Sequence, residues 1–217
     1  MLTAEGLTKR YHGVTVLHPA GLTLAAGEAV GVAGANGSGK STLLAILAQA
    51  IPPDSGTICE DGVPVLGSRR FLRQHVGYVP QTDCLVPELT VAQQLSCWQM
   101  CTGRPCRDDA ALMDLLDLHA LLHKPISKLS GGMRKRVSFA LALAGTPRYL
   151  MMDEAFAALD QDYRSRLEDW LRAYIAHGGA LLWCSHESEE LRRLCSRVLT
   201  LQNGYIRNDG HVIHPDC

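Results

Sequence analysis

The sequence lacks any marked excess of charge and any long apolar run. Its 217 residues contain 21 Lys and Arg against 22 Asp and Glu, which gives a formal net charge of −1. This near-equal number of positive and negative side chains provides no electrostatic basis for nucleic-acid binding, which needs a basic surface. No apolar stretch approaches the length of a membrane span, and no basic-then-apolar signal segment follows Met1. We therefore expect a cytoplasmic protein that works at a membrane, if at all, through a partner.

C-x-x-C pairs are also missing, although the chain contains eight cysteines. The commonest spacing of metal-binding and redox cysteines is therefore absent. Cys97, Cys101 and Cys106 lie close together, and a loose His/His/Cys group occupies residues 211–217. We interpret the cysteines as small apolar side chains in a reducing compartment, and the tail as a frayed terminus. Metal binding by the tail is the alternative.

Internal repeats and low-complexity segments are absent as well, so the organisation has to be inferred from hydrophobic spacing. With 47% hydrophobic residues, the chain can bury a sizeable core. Short apolar strands and helical segments alternate up to residue 81 and from residue 147 onward, whereas residues 82–146 show almost only helical spacing. This pattern predicts one α/β domain. Residues 1–81 and 147–217 would form its core with an N-terminal β subdomain, and residues 82–146 an inserted helical subdomain.

The same spacing, with Gly, Pro, Asn and Asp as breakers, predicts the individual elements. Strands are predicted at 2–10, as an edge strand, and at 14–17, 21–24, 57–60, 63–66, 76–79, 149–152, 180–184 and 198–201. Helices are predicted at 40–50, 91–100, 110–118, 131–143, 160–176 and 187–195. Asp61-Gly62 and Asn203-Gly204 are typical of hairpin turns.

The clearest motif is Gly34-Ala35-Asn36-Gly37-Ser38-Gly39-Lys40-Ser41-Thr42, which fits G-x-x-x-x-G-K-[ST], the phosphate-binding P-loop. Glycines let the backbone turn tightly and direct several N–H groups at an anion. The following helix adds its positive N-terminal end. Lys40 can then reach the β- and γ-phosphates, and the Ser41 hydroxyl can ligate Mg²⁺. An apolar strand precedes the loop and helical spacing follows it, so a chance glycine-rich turn is the weaker interpretation.

A second part of the site is indicated by Tyr149-Leu150-Met151-Met152-Asp153-Glu154, an apolar strand that ends in two acids. In P-loop ATPases an acid at such a strand end holds Mg²⁺. A second acid beside it can accept a proton from the attacking water. By itself the run could be a solvated strand end. Downstream of a P-loop it predicts that Asp153 binds metal and that Glu154 is the catalytic base.

The segment Leu129-Ser130-Gly131-Gly132-Met133 resembles the signature loop of ATP-binding cassette (ABC) ATPases, and it precedes the acid pair as it does in that family. Other residues match family motifs in the same order. They are the glutamine-loop Gln81, the D-loop Ala158-Leu159-Asp160, the switch histidine His186 and the adenine-stacking aromatic Tyr11. Each alone has an ordinary structural explanation. Their joint order supports the resemblance, which covers nearly the whole chain.

The resemblance implies a P-loop NTPase (RecA-like) α/β core with an antiparallel β subdomain and an inserted α-helical subdomain. It implies ATP and Mg²⁺ as ligands, in a head-to-tail dimer whose signature loops face the γ-phosphate bound by the other subunit. Glu154 would be the base, Lys40 a charge stabiliser, His186 a γ-phosphate contact and Gln81 the link to the helical lobe. Metal binding is implied for Ser41, Gln81 and Asp153, and nucleotide binding for Tyr11, Gly34, Asn36, Gly37, Ser38, Gly39, Lys40, Ser41, Thr42, Ser130, Gly131, Gly132 and Asp160.

Two positions depart from the family pattern. Met133 stands where the signature usually has Gln, and Ala155 follows the acid pair where Pro is usual. Neither change removes a catalytic group, so a non-catalytic cassette is not favoured. The run Gly132-Met133-Arg134-Lys135-Arg136-Val137 resembles the ABC-2 type exporter branch. We interpret its three basic residues as a solvated or inter-lobe face rather than a nucleic-acid contact.

The resemblance also implies partners. The chain would be the ATPase subunit of an exporter, held at the inner face of the cell membrane by separate membrane-spanning subunits. Its second cassette would be an identical copy or a paired ABC subunit, and no nucleic acid is expected. We expect the membrane subunit to bind the groove between core and helical lobe, near Gln81 and residues 82–91. An importer ATPase and a soluble ABC protein acting on ribosomes or DNA are the alternatives.

Overall fold

The computed structural model describes residues 1–207, apart from the side chain of Ser188. The tail at residues 211–217 lies outside the described residues, so its interpretation stays a prediction. Among the described helices, none is long and apolar enough to cross a membrane. In chain order the described strands are β1 Leu2–Tyr11, β2 Val14–Leu24, β3 Ala29–Ala33, β4 Ser55–Glu60, β5 Val63–Pro64, β6 Val76–Val79, β7 Tyr149–Asp153, β8 Ala180–Cys184, β9 Arg197–Gln202 and β10 Tyr205–Arg207. The described α-helices are α1 Lys40–Leu47, α2 Arg69–His75, α3 Val91–Thr102, α4 Ala110–Leu115, α5 Gly131–Leu143, α6 Gln161–Ala176 and α7 Ser188–Leu194.

The first sheet of the described residues is antiparallel, with four strands in the order β2-β1-β4-β5. β1 lies between β2 and β4, so the prediction of an edge strand is wrong. Alternation in a sequence shows that one face is buried, but it does not show how many edges are paired. β2 runs unbroken through Pro19, where two strands were expected. Since β2 is an edge of this sheet, a residue without an N–H is tolerated there.

The second sheet has six described strands in the order β10-β9-β3-β8-β7-β6, and all of its pairings are parallel except the β9–β10 hairpin. β7 and β8 are buried along their whole length, as parallel strands covered on both faces should be. Alternate β7 side chains enter different cores. Leu150 and Met152 join the cluster formed with the helices, while Tyr149 and Met151 join the cluster shared with the first sheet. This strand order brings the carboxyl ends of β3, β6, β7 and β8 to one edge.

The largest differences between the predicted and the observed helices of the core are at α1 and α2. α1 ends at Leu47, before the predicted end at residue 50, and Gln49 beyond it has a left-handed φ of 52°. The spacing does not predict α2, because its seven residues bury only Phe71 and so carry little periodicity. Its sequence signal is the N-cap Ser68, whose hydroxyl accepts the Phe71 N–H.

Between β6 and β7 the chain is helical, as predicted. Within residues 82–146 the strand-like pairing is a single bridge between Thr90 and Pro125. Thr90 also begins α3 with a capping box, exchanging hydrogen bonds with Gln93. α4 is shorter than predicted and is followed by 3-10 turns at His119–Leu121 and Ile126–Lys128. The division of the chain into a core and an inserted subdomain stays a prediction.

Candidate functional site

The glycine-rich loop connects β3 to α1 at the carboxyl edge of the second sheet. Gly37 and Gly39 have φ values of 79° and 104°, which only glycine adopts without strain. A Cβ at Gly34 would collide with the Leu201 carbonyl and lie 2.7 Å from Ser38 Oγ. The Gly204 N–H donates to the Ser38 carbonyl at 3.1 Å, so the β9–β10 turn supports the loop from outside. That turn was predicted as a hairpin, but its contact with the loop has no signal in the sequence.

Lys40 lies across the concave side of this loop. Its Nζ donates to the carbonyls of Gly34 at 2.7 Å and Ala35 at 3.1 Å, and the residue is 5% exposed. An ammonium group has three N–H donors, so a further one is available for a phosphate oxygen. Lys40, the predicted charge stabiliser, is therefore held against the carbonyls of its own loop and lines a cleft with Gly37 and Gly39.

Asp153 ends β7 next to the loop and is 1% exposed. Burial raises the pKa of its carboxyl. The nearby charge of Glu154 raises it further, while the Ser41 hydroxyl, Lys40 and Lys135 lower it. Within the described part of the chain, Asp153 Oδ1 is buried without a hydrogen-bond partner. A divalent cation prefers a carboxylate and a hydroxyl oxygen as ligands, and its charge would compensate the buried carboxylate. The residues present therefore fit a Mg²⁺ site at Asp153 and Ser41.

Two predicted site residues, Gln81 and His186, lie beside a third, Glu154. Gln81 Nε2 donates to Glu154 Oε2 at 3.0 Å, and His186 Nδ1 lies 3.7 Å from Glu154 Oε1. Glu154 itself has a left-handed φ of 44° and donates its N–H to the Cys184 carbonyl at 2.9 Å. A non-glycine residue in this conformation costs about 1–3 kcal/mol, and such residues occur at active sites as well as in turns.

The P-loop, Gln81 and Glu154 enclose one cleft of about 370 Å³. Val16 of β2 also lines it, although the sequence reasoning does not select Val16. Among the described residues, those lining the cleft do not include Tyr11. Tyr11 is 41% exposed at the end of β1, opposite the exposed Val14. The structure therefore presents Tyr11 as an accessible ring, and its stacking role stays a prediction.

The signature segment lies outside the P-loop cleft, against the start of α6. Ser130 is the N-cap of α5 and accepts the Met133 N–H at 3.3 Å, as the sequence predicts. A Cβ at Gly132 would lie 2.9 Å from the Ala158 carbonyl, so this glycine permits close contact with the D-loop. A cavity of about 250 Å³ lies beside Ser130, Gly132 and Asp160. In the described residues it shares no lining residue with the first cleft.

Asp160 is the N-cap of α6, and its Oδ1 accepts the Tyr163 N–H at 3.0 Å. The prediction that helix α6 includes Asp160 is therefore wrong by one residue, since a capping side chain holds that position outside the helix. A role for Asp160 across a dimer stays a prediction.

Two of the three residues in the basic run 134–136 are buried, whereas the Arg134 side chain is 40% exposed. Lys135 is 4% and Arg136 6% exposed. Lys135 Nζ donates to the carbonyls of Pro80 at 2.9 Å and Gln81 at 3.0 Å, which supports the inter-lobe interpretation. Side chains buried in this way are not available to a nucleic acid. The sequence missed their burial because three consecutive charges are usually exposed.

The described cysteines range from buried to exposed, with Cys59 intermediate. Cys106, Cys184 and Cys195 are buried, and burial raises the pKa of Cys106 and of Cys195 to about 12, so these thiols behave as small apolar side chains. Cys97 and Cys101 are exposed on α3, contrary to that interpretation. Their spacing of four residues places them on one helix face, but that face points outward.

Comparison with known proteins is consistent with this geometry. The chain matches the family described as "ABC transporter" over residues 17–157. It is 37% identical over 203 residues to the Nod factor export ATP-binding protein I of Mesorhizobium japonicum, covering 92% of this chain and 60% of that protein. The chain thus spans less than two thirds of the length of that relative.

Solved structures show the same fold. A structure described as the ATP-binding subunit of an ABC transporter superposes with a TM-score of 0.85 at 26% identity, covering 95% of this chain and 88% of the other. A dimeric ATP-binding cassette in a post-hydrolysis state, bound to ADP and Pi, gives a TM-score of 0.85 at 23% identity, covering 95% and 97%. The α/β core is therefore that of the P-loop NTPases, and the chain belongs to the ABC transporter family.

Proposed function

We propose that this chain is the ATP-binding subunit of an exporter and hydrolyses ATP in a head-to-tail dimer. The observation that carries the proposal is that Gln81 and Glu154 line the P-loop cleft and are hydrogen-bonded to each other, with His186 Nδ1 3.7 Å from Glu154 Oε1. These residues come from three distant parts of the chain, and they have the roles that phosphoryl transfer to water requires. Export is supported by the name of the relative described above.

The P-loop would bind the phosphates of ATP with its backbone N–H groups and Lys40. Lys40 stabilises the charge that grows on the γ-phosphoryl oxygens as the bond to the leaving group breaks. Ser41 and Asp153 would hold Mg²⁺, with Gln81 beside them. When bound, Mg²⁺ neutralises charge on the β- and γ-phosphate oxygens.

Glu154 accepts a proton from the attacking water. The water oxygen bonds to the γ-phosphorus while the bond to the oxygen shared with the β-phosphate breaks, so that ADP and inorganic phosphate are formed. The Gln81 amide donates to the Glu154 carboxylate and so orients it, and His186 lies on its other side. With both partners in contact, the carboxylate has a defined direction before the nucleotide binds.

The signature loop serves the nucleotide of the partner subunit. Ser130, the N–H groups near Gly131 and Gly132, and the N-terminus of α5 form a second anion site, and a cavity opens beside it. Because this cavity is separate from the chain's own cleft, its anion would come from a second cassette. The dimeric cassette among the solved structures supports this arrangement.

The membrane subunit would dock in an apolar groove of about 400 Å³ between the core and α3. Leu85 lines this groove and lies in the predicted docking segment 82–91. Two buried donors also line it: Trp98 Nε1 and Arg104 Nε have no hydrogen-bond partner among residues 1–207. Of the described lining residues, two are arginines and none is acidic. The groove is therefore complementary to an apolar segment that supplies acceptor or carboxylate oxygens.

Steady-state ATPase activity of the purified chain with its cognate membrane subunit tests the proposal. Lys40→Ala should lower turnover by at least ~10²-fold, because it removes a preorganised cation from the transferring phosphoryl group. Lys128→Ala, which removes an exposed lysine just before the signature loop, is the matched control and should leave turnover within about twofold. Near-normal activity of the Lys40 variant would contradict the P-loop assignment.

A further inference from the structure

The basic run at the start of α5 connects the signature segment to two other parts of the molecule. Arg134 pairs with Asp83 at 3.2 Å, and Lys135 holds the carbonyls of Pro80 and Gln81. Arg136 turns to the opposite side of the helix. The side chains of Arg134 and Lys135 therefore hold the segment around Gln81, whereas the side chain of Arg136 contacts a different part of the chain.

Arg136 contacts a tyrosine on the first turn of α6. Its guanidinium lies 4.4 Å from the centre of the Tyr163 ring, donates to the Tyr163 hydroxyl, and pairs with Asp117 Oδ2 at 3.3 Å. Tyr163 in turn donates its hydroxyl to Asp117 Oδ2 at 2.9 Å. Arg136, Tyr163 and Asp117 thus form a closed triangle, which we name the α5–α6 clamp.

The clamp joins two segments that the proposed function places at the partner's nucleotide. Its Arg136 lies on α5, within two turns of Ser130 and Gly132. Its Tyr163 donates its backbone N–H to Asp160 at the start of α6. The Gly132–Ala158 approach tightens the same junction. Since an α-helix rises only about 1.5 Å per residue, a shift of either helix start must strain the clamp.

On its other side α5 is tied to the chain's own cleft. Lys135 holds the Gln81 carbonyl, and the Gln81 side chain donates to Glu154. Lys135 is buried, so its charge must remain paired with these carbonyls and with Asp83 at 3.9 Å. Helix α5 is therefore connected to Glu154 through Lys135 and Gln81. It is connected to Asp160 through Arg136 and Tyr163.

We propose that Lys135, Arg136 and Tyr163 are positioning residues that couple occupancy of a chain's own cleft to the signature loop serving the partner's nucleotide. The inference rests on the proposed function, and it goes beyond it by naming the internal connection. Lys135 and Arg136 are buried, whereas the Asp117 side chain is 60% exposed. Buried charges contribute little net stability compared with apolar packing, but in some proteins they select one arrangement of the elements they join. That selection is the role inferred here.

The test uses Glu154→Gln protein, in which ATP-dependent dimers should accumulate. The ATP concentration for half-maximal dimer formation is measured by size-exclusion chromatography, and ADP binding to the single chain by calorimetry. Adding Tyr163→Phe or Arg136→Lys should raise the ATP concentration for half-maximal dimer formation about tenfold, which is a typical effect of a mutation that alters coupling between two sites. ADP affinity should change by less than about twofold, because the clamp residues do not line the P-loop cleft.

Arg172→Met is the matched control. Arg172 also lies on α6 and makes two ion pairs, with Glu168 and Asp169, but these face away from the signature segment. It should leave both measurements unchanged. Tyr163→Phe keeps the ring and removes one hydroxyl, so it preserves the fold even where Arg136→Lys does not.

The outcomes separate the two proposals. If Glu154→Gln alone forms no ATP-dependent dimer, the proposed function is wrong. If it dimerises and the clamp variants need the same ATP concentration within about twofold, the coupling inference is overturned. If the clamp variants lose ADP affinity and dimer formation together, the coupling inference is also overturned, because a purely structural role predicts that both are lost.

Discussion

Asp153→Asn should stabilise the ligand-free chain while abolishing ATP turnover. Asp153 is 1% exposed, and its Oδ1 lacks a hydrogen-bond partner in the described residues. Burial raises the pKa of this carboxyl, which means that its charged form is disfavoured in the fold. Asn has nearly the same shape and no charge, so the substitution removes the penalty together with the metal ligand.

The size of the effect follows from the cost of an incompletely compensated buried polar group, about 1–3 kcal/mol. For a chain of 150–250 residues each kcal/mol shifts the melting temperature by about 2–4 °C. Lys40, Lys135 and the Ser41 hydroxyl compensate part of the charge, which favours the lower half of that range. We therefore expect Asp153→Asn to melt about 2–8 °C above the wild type at neutral pH, without nucleotide or metal.

The pH dependence has a definite sign. The folded pKa lies above the unfolded reference of 3.8, so the penalty is fully present above the folded pKa. As pH falls through the folded pKa toward 3.8, the wild type takes up a proton and recovers the lost stability. The difference in melting temperature between the two proteins should therefore shrink in acid.

Thermal melts followed by circular dichroism measure these differences. Asp162→Asn, at an exposed acid on the first turn of α6, is the control and should melt within about 2 °C of the wild type. MgATP should raise the melting temperature of the wild type and leave Asp153→Asn nearly unchanged, because the variant lacks a metal ligand. An Asn variant that melts below the wild type in metal-free buffer at neutral pH would refute the argument.

Three further predictions concern turnover, the signature loop and docking. Glu154→Gln should retain nucleotide binding, lose hydrolysis and accumulate ATP-bound dimers on size-exclusion chromatography; a monomer that still hydrolyses ATP would contradict both the base and the dimer. Met133→Gln should change ATPase activity by less than about tenfold, because one neutral hydrogen bond is worth roughly 0.5–1.5 kcal/mol. Ser130→Ala should cost more, and Gly132→Asp most, since it adds a negative charge and a collision with the Ala158 carbonyl; equal effects at 132 and 133 would contradict nucleotide binding by this loop. Leu85→Glu should uncouple transport and spare basal ATPase activity; normal assembly and export would place the docking surface elsewhere.

Most of the site could be predicted because its parts are local. The P-loop glycines, the cap Ser130, and the strand that ends in Asp153 each depend on a few neighbouring residues. A backbone that needs positive φ accepts glycine, and a helix start accepts Ser or Asp, whatever lies elsewhere in the chain. The sequence therefore predicted two candidate anion sites and the order of the motifs.

The errors concern pairing and burial over long distances. β1 occupies the interior of its sheet because β4, some fifty residues later, pairs with its second edge. Lys135 and Arg136 are buried because Pro80, Gln81 and Tyr163 surround them after folding. A charged triplet alone gives no indication of such neighbours, and α2 buries too little to produce a periodic signal.

The amino-acid sequence by itself determined where a glycine-rich loop leads into a helix and which side chains can carry charge, since backbone conformation and side-chain chemistry are local properties. Only the tertiary structure decided that Gln81 donates to Glu154 across 73 positions of the chain, and that α5 contacts both Gln81 and Tyr163. It also decided that Trp98 and Arg104 line one apolar groove. These relations arise from the order of the parallel strands and from the packing of α5 on them. Long-range packing depends on the fit of whole surfaces, which no short pattern encodes.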